Sequence, residues 1–188
     1  MTTKKDLENL KVDLSVKSKN GIDFIISASI IWLVIAGIWT LDFTAYNKSV
    51  FTFFIGSLVL PLALLFSKIL KTNWKNKENP LQPLGLWLNF AQMFYFPFLL
   101  FVFFKIPDYF VMTYCIITGA HFFPYAWFYK VKWYAVFAGI IAVGALFIGL
   151  KSNPDEMFII PLFTSICLLL LAILLHRDYK NKIINPKN

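Results

Sequence analysis

The sequence predicts an all-α fold: a polytopic membrane bundle of six transmembrane helices, with both termini cytoplasmic and a short amphipathic helix at the N-terminus. Two observations support this prediction. The composition is 59% hydrophobic with only 15% charged residues, and the apolar residues fall into long runs. A soluble domain carries roughly 25% charged residues, so most of this chain has no place in water. The composition excludes a soluble enzyme, a disordered chain and a disulfide-stapled secreted domain.

Six apolar segments are long enough, or nearly so, to cross about 30 Å of hydrocarbon. They are predicted at 22–41, 50–70, 84–104, 109–129, 133–150 and 157–175. Only helices and closed barrels satisfy their backbone hydrogen bonds in lipid, and apolar runs of this length indicate helices. We therefore expect three regions, which are an N-terminal tail at 1–21, one transmembrane domain at 22–175 and a basic tail at 176–188.

The basic residues predict the orientation of these spans. With both termini inside, 15 Lys and Arg residues fall on the cytoplasmic side and 3 on the outer side. Under the positive-inside rule, this asymmetry predicts that both termini are cytoplasmic. The net charge of +8 has the same explanation, because basic residues collect near anionic headgroups. The expected partners are the lipid bilayer and anionic lipid headgroups at the cytoplasmic face, with no nucleic acid.

The N-terminal tail carries a helical spacing of apolar residues. Leu7, Leu10 and Leu14 recur at i, i+3 and i+7 before Gly21. This spacing predicts a short amphipathic helix that lies on the inner leaflet. The alternative is a solvated tail.

Polar residues inside the predicted spans concentrate at one depth around His121, the only deep ionisable side chain other than Tyr and Cys. His121 and Gln92 each lie eight residues from the inner end of their spans, which places both about 12 Å deep. Helical spacing brings further polar side chains from the first, third and fourth spans to a similar level. The candidate pocket therefore comprises His121, Gln92, Asn89, Thr118, Tyr125 and Ser27.

Two interpretations of this polar layer remain open. The side chains either hydrogen-bond between helices and hold the bundle together, or line a solvated pocket that binds a small molecule or passes a proton. Pro61, Pro97 and Pro124 lie inside three spans, where each frees a carbonyl four residues earlier. Such prolines are expected to kink the helices, which favours the pocket slightly.

The fifth span carries small residues on one continuous stripe, which allows close helix packing either within the bundle or in a homo-oligomer. The stripe consists of Ala135, Ala138, Ala142, Ala145 and Gly149. The chain has no GxxxxGK phosphate loop, no HExxH motif and no carboxylate pair at membrane depth. We therefore expect no cofactor, no metal site and no catalytic residue, and an enzyme is less favoured than a binding protein.

Several short motifs are spread over about two-thirds of the chain. They are Asp13-Leu14-Ser15 before Gly21, Trp32, Asn79-Pro80-Leu81, Gln92-Met93, Gly119-Ala120-His121, Pro124-Tyr125 and Trp127. With these residues the chain resembles an uncharacterised family of small bacterial multi-pass membrane proteins. The resemblance implies a bacterial inner-membrane location and no assigned activity.

The sequence leaves two main functional hypotheses. In the first, a polar pocket in the cytoplasmic half of the bundle binds or transports a small molecule or ion, with His121 as its titratable member. In the second, the protein is a non-catalytic membrane scaffold or accessory subunit that assembles through helix packing.

Overall fold

Within residues 4–184, which the computed structural model describes, the chain forms helices and no strands. The outermost residues of the two predicted tails, 1–3 and 185–188, lie outside this range. The helices are α1 (Lys4–Lys17), α2 (Ile22–Trp39), α3 (Ala45–Ser57), α4 (Val59–Leu70), α5 (Gln82–Met93), α6 (Phe96–Lys105), α7 (Phe110–His121), α8 (Phe123–Phe128), α9 (Trp133–Lys151) and α10 (Ile159–Ile184). Short 3₁₀ turns precede α2, α7 and α10.

Five helical segments in this range are long and apolar enough to cross a membrane, and the all-helical membrane fold is confirmed at that level. They are Lys19–Trp39, Ala45–Leu70, Gln82–Lys105, Trp133–Lys151 and Pro154–Ile184. The fourth predicted span, 109–129, which forms α7 and α8, is not among them, because its polar side chains lower its hydropathy. Six spans are therefore not confirmed.

The internal prolines divide three of the predicted spans. α3 ends and α4 begins around Leu58 before Pro61, and α7 and α8 meet at Phe122 before Pro124. α5 and α6 likewise separate just before Pro97. Proline has no N–H to give to the carbonyl four residues earlier, so the helix loses a bond at each site. Pro161 lies in the first turn of α10, where no such bond is required, and α10 runs unbroken.

Helices α2 and α10 form the centre of the bundle. Their spans are 56% and 50% buried, whereas the α3–α4 and α5–α6 spans are each 17% buried. Ser29 and Ser165 join the two central helices by exchanging hydrogen bonds, each hydroxyl donating to the other residue's backbone carbonyl at 3.0 and 2.8 Å. Reciprocal bonds of this kind hold helices together where lipid supplies no hydrophobic drive between them.

The small-residue stripe of α9 packs inside the chain, against α7. Gly119 lies so close to α9 that a Cβ built on it would be 2.8 Å from Ile141 Cγ2 and 2.9 Å from the backbone nitrogen of Ala142. Ala138 and Ala145 are buried. The stripe is thus used for packing within the bundle, which was one of its two expected roles.

One end of the bundle, here called the tail end, gathers α1, residues 71–81, residues 129–132 and the C-terminal part of α10. The backbone N–H of Asn73 donates to the Lys17 carbonyl at 2.9 Å. Lys182 Nζ donates to Ser15 Oγ at 2.8 Å. These are the four segments that the charge pattern placed on the cytoplasmic side. α10 also continues past the predicted end of the last span, so much of the expected basic tail is helical.

Helix α1 is present where the leucine spacing predicted a helix, but its buried face contacts the protein. Leu14 and Ser15 are buried, and so is Lys11. The Lys11 ammonium lies 3.8 Å from the centroid of the Trp127 ring and 3.0 Å from Glu8. The expectation of a helix resting on the leaflet missed these contacts, because leucine periodicity says nothing of what a lysine on the same face will meet.

Candidate functional site

The turn between α1 and α2 builds the centre of the tail end. Lys19, Asn20 and Gly21 all have left-handed backbone conformations, with φ of 49°, 58° and 71°. Asparagine and glycine adopt this region most readily among the natural residues. The chain reverses here within a few residues, which places the Asn20 side chain at the base of the bundle, fully buried.

Asn20 joins three helices through its side chain and its carbonyl. Its Nδ2 donates to the Leu175 carbonyl at 2.9 Å and to Asp178 Oδ2 at 3.0 Å. Its Oδ1 accepts a hydrogen bond from Ser15 Oγ, and its backbone carbonyl accepts one from Tyr134 Oη at 2.7 Å. Each polar atom of the side chain therefore has a partner in α1 or α10, as a buried amide requires.

Lys182 completes this cluster, which we call the tail-end network (Ser15, Asn20, Asp178 and Lys182). Its ammonium donates to Asp178 Oδ2 at 2.7 Å and to Ser15 Oγ at 2.8 Å. It also reaches the backbone carbonyls of Tyr129 and Lys130 at 3.0 and 3.3 Å. These carbonyls lie at the C-terminal end of α8, where the helix dipole favours a cation.

Asp23, in the first turn of α2, is a carboxylate with no exposed surface. Its Oδ2 accepts hydrogen bonds from Thr72 Oγ1 at 2.5 Å and from Trp74 Nε1 at 2.6 Å. Its Oδ1 accepts one from the Phe24 backbone N–H at 3.0 Å. Within residues 4–184, no Lys, Arg or His nitrogen lies within 4.0 Å of it. Neutral donors and the N-terminal dipole of α2 alone compensate the carboxylate.

Two pairs of aromatic rings lie near the N-terminal end of α2. The Trp74 ring stacks on Phe24 with centroids 4.5 Å apart, and Tyr129 stacks on Tyr134 at 5.9 Å. The two tyrosine hydroxyl oxygens lie 3.2 and 3.3 Å from the position a Cβ would take on Gly21, two residues before the carboxylate. We call this arrangement of Asp23, Phe24, Trp74, Tyr129 and Tyr134 the Asp23 site.

The segment that covers the Asp23 site, residues 71–81, is attached to α1 by side chains. Asp13 accepts hydrogen bonds from Asn76 Nδ2 at 2.6 Å and Asn79 Nδ2 at 2.9 Å, and it pairs with Lys17 at 2.9 Å. Burial alone raises the pKa of Asp13, but the bonds from Asn79, Lys17 and Asn76 outweigh it and hold that pKa below its ordinary 3.8. The ionised form is thus the one that holds the segment.

Acid should release this attachment. A carboxylate whose pKa is lower in the folded state stabilises the fold above its unfolded-state pKa, and that stabilisation is lost as the pH falls through its folded-state pKa. We expect Asp13→Asn to lower the melting temperature at neutral pH, with the difference from wild type closing as the pH falls below about 4. Thermal unfolding of both proteins in detergent, from neutral pH to below about pH 4, measures this difference. Asp108→Asn, at an exposed acid, should show no such difference, and a gap that persists at low pH would contradict the assignment.

The structure brings some of the predicted pocket residues together. His121 and Tyr125 meet edge to face with ring centroids 5.3 Å apart. Tyr125 Oη also lies 3.5 Å from the Gly85 carbonyl of α5, at the limit of a hydrogen bond. Thr118, one turn before His121, is buried. The predicted approach of the third and fourth spans thus corresponds to the contact between α5 and α8.

The other predicted residues lie apart from His121. Asn89 is exposed and donates to the Gly85 carbonyl at 3.0 Å, Gln92 is half-buried, and Ser27 donates to the Asp23 carbonyl at 2.7 Å. Among the described residues, no hydrogen bond or ring contact links these three to the imidazole. Whether the layer is a pocket or a set of structural contacts stays a prediction.

A column of rings connects His121 with the tail end. Tyr125, which contacts His121, lies 5.9 Å from the Tyr129 ring and 5.7 Å from the Tyr134 ring. Tyr134 in turn donates to the Asn20 carbonyl. Of the predicted layer, His121 and Tyr125 therefore belong to a continuous aromatic and polar column that begins at the tail-end network, with His121 at its far end.

Little in the sequence pointed to the tail-end residues. No local pattern around Asn20, Asp23, Trp74 or Lys182 predicts a functional site. Their partners are distant in the chain, so no local spacing connects them. Asp13, Ser15 and Asn79 were marked by the resemblance, and all three make hydrogen bonds at the tail end.

The fold and composition define an integral membrane protein of apolar helices. A family model described as a family of unknown function, DUF7010, matches residues 7–178, and the chain belongs to this family. This agrees with the resemblance to an uncharacterised family. No curated protein and no solved structure matches the chain.

Proposed function

We propose that the protein spans the bacterial inner membrane six times with cytoplasmic termini, and that it binds a small molecule or ion between His121 and the tail end. The observation that carries the binding proposal is the column of rings from His121 through Tyr125 to Tyr134 and Asn20. Helix packing alone calls for isolated interhelical bonds. A buried polar column that reaches one end of the bundle offers a ligand both orienting groups and an entry side.

The positions of the chain ends support the six-span topology. The N-terminal end of α2 and the C-terminal part of α10 lie together, because Asn20 bonds the Leu175 carbonyl and Asp178. Adjacent ends require an even number of crossings between them, and α7 with α8 supplies the sixth. The tail end also collects most of the basic residues, as expected for a cytoplasmic face that contacts anionic lipid headgroups.

A ligand screen tests the binding proposal. Purified protein in detergent is heated with a library of small molecules and ions, and compounds that raise its melting temperature are retested against variants. We expect His121→Ala to weaken these effects, because the imidazole is the polar side chain at the end of the ring column that contacts Tyr125. His176→Ala, at an exposed histidine of α10, should leave them intact. Equal responses of a folded His121→Ala protein and the wild type would remove the imidazole from the site.

The alternative, a scaffold or accessory subunit, is favoured by the surface of α5 and α6. Within the described residues α5 has no buried side chain, and Phe94 between the two helices is 81% exposed. Assembly would use this face, since the stripe of α9 packs against α7. Two results together would favour this function: the library screen finds no compound that binds, and the protein forms a dimer in detergent that Phe94→Ala dissociates.

A further inference from the structure

The carboxylate of Asp23 carries a charge that its structural contacts do not require. Thr72 and Trp74 donate to one oxygen, and a backbone N–H donates to the other. The side-chain oxygen of an asparagine accepts the same two side-chain hydrogen bonds without a charge. A buried, unpaired carboxylate is costly.

The surroundings of the carboxylate indicate what it would bind. Trp74 donates to the carboxylate from the edge of its indole and stacks on Phe24, and the hydroxyls of Tyr129 and Tyr134 lie beside Gly21. No basic side chain of the described range lies within salt-bridge distance of Asp23. Aromatic faces attract cations, and a desolvated aromatic site with a carboxylate is the usual environment for ammonium groups. An anionic ligand would be repelled, and a neutral one would leave the charge unpaired.

We propose that Asp23 anchors a binding site for a small organic ammonium ion, which Thr72 and Trp74 close in the structure described here. The inference rests on the proposed function, because it names the ligand class for the tail end of the bundle. On binding, the ammonium replaces the Thr72 hydroxyl and the Trp74 N–H at the carboxylate. The indole face and the Phe24 ring then contact the cation.

The covering segment lies outside the helices of the bundle. Residues 71–81 contain no helix, and their bonds to α1 run through Asn73, Asn76 and Asn79 on the segment's side. Lys71, Lys75 and Lys77 are exposed. Displacing Thr72 and Trp74 breaks their hydrogen bonds to Asp23, the bonds of Thr72 with Ser67 and that of Trp74 with Gln82. The hydrogen bonds between α2 and α10 remain in place.

The test measures thermal unfolding in detergent with tetramethylammonium or methylammonium chloride, against sodium chloride at equal ionic strength. For the wild type we expect a saturable rise in melting temperature of about 3–6 °C at ten times the dissociation constant. Asp23→Asn should remain folded with an equal or higher melting temperature and lose this response. Asp42→Asn, an exposed acid at the opposite end of the first span, should keep it.

A second variant changes the affinity in the opposite direction. Thr72→Val removes a hydrogen bond that competes with the ligand for the carboxylate. A bond to a charged group is strong enough that its loss should tighten the apparent affinity about tenfold. If Asp23→Asn fails to fold, the affinity of Thr72→Val for the ammonium ion tests the proposed site on its own.

The outcomes separate this inference from the proposed function. Absence of an ammonium response in the wild type overturns the inference, and so does a response that Asp23→Asn retains in full. If library compounds still bind and depend on His121, the proposed function stands without the ammonium site. If neither library compounds nor ammonium ions bind, both fail together with the idea of a ligand at the tail end.

Discussion

Asn20→Ala should destabilise the folded protein by about 3 kcal/mol. The substitution removes the amide that bonds Ser15, Leu175 and Asp178, and it leaves buried polar groups without their partner at about 1–3 kcal/mol. It also places an alanine at a φ of 58°, a conformation that costs most residues with a Cβ roughly 1–2 kcal/mol and that asparagine adopts with the help of local hydrogen bonds from its side chain. Asparagine tolerates this region better, so the two penalties act together.

Reversible unfolding in mixed micelles measures this effect. Asn20→Gly keeps the left-handed turn and removes only the amide, so it should recover the backbone part of the loss. Asn89→Ala, at an exposed asparagine that bonds within its own helix, should change stability by less than about 1 kcal/mol. If Asn20→Ala proves no worse than Asn89→Ala, the tail-end network does not hold the helices together.

Gly119→Val should separate α7 from α9 and cost about 3 kcal/mol or more. Already the first added carbon would lie 2.9 Å from the Ala142 backbone nitrogen, as well as 2.8 Å from Ile141 Cγ2. A side chain can rotate away, but the backbone of a packed helix moves only if the helix itself shifts. The contact between α7 and α9 is among the most extensive in the bundle, so the shift disturbs many neighbours.

The matched control lies in α9 itself. A Cβ on Gly139 meets nothing within 4 Å, so Gly139→Val should leave the unfolding free energy within about 0.5 kcal/mol of wild type. The same assay serves both variants, with helical content measured by circular dichroism. Equal stability of the two valine variants would show that the close approach of α7 and α9 is not required for folding.

Hydropathy and proline chemistry predicted most of the fold, because both act locally. The apolar runs became helices, and the helices divide just before Pro61, Pro97 and Pro124. The fourth span is the exception, since the polar side chains that made it a candidate site also reduce its hydropathy. The sequence placed polar residues of the third and fourth spans at the same depth on facing sides, and in the structure Tyr125 of the fourth span contacts Gly85 of the third.

The tail-end network was beyond prediction from local patterns. Asn20 and Asp23 begin a span, where polar residues are ordinary and draw no attention. Trp74 lies in a segment with no periodicity, and nothing in its neighbours announces that it will cover a carboxylate 51 positions earlier. Hydrogen bonds between remote segments form only after the topology has brought them together.

The bonds that cross the tail end join residues 155 positions apart, from Asn20 to Leu175, and 167 apart, from Ser15 to Lys182. During synthesis the first helix therefore enters the membrane long before its polar partners exist. Until α10 arrives, the Asn20 amide and the Ser15 hydroxyl lack these partners, and water or other polar groups must satisfy them. A chain cut short before α10 therefore leaves polar groups at the base of the bundle without the hydrogen bonds that they make in the complete fold.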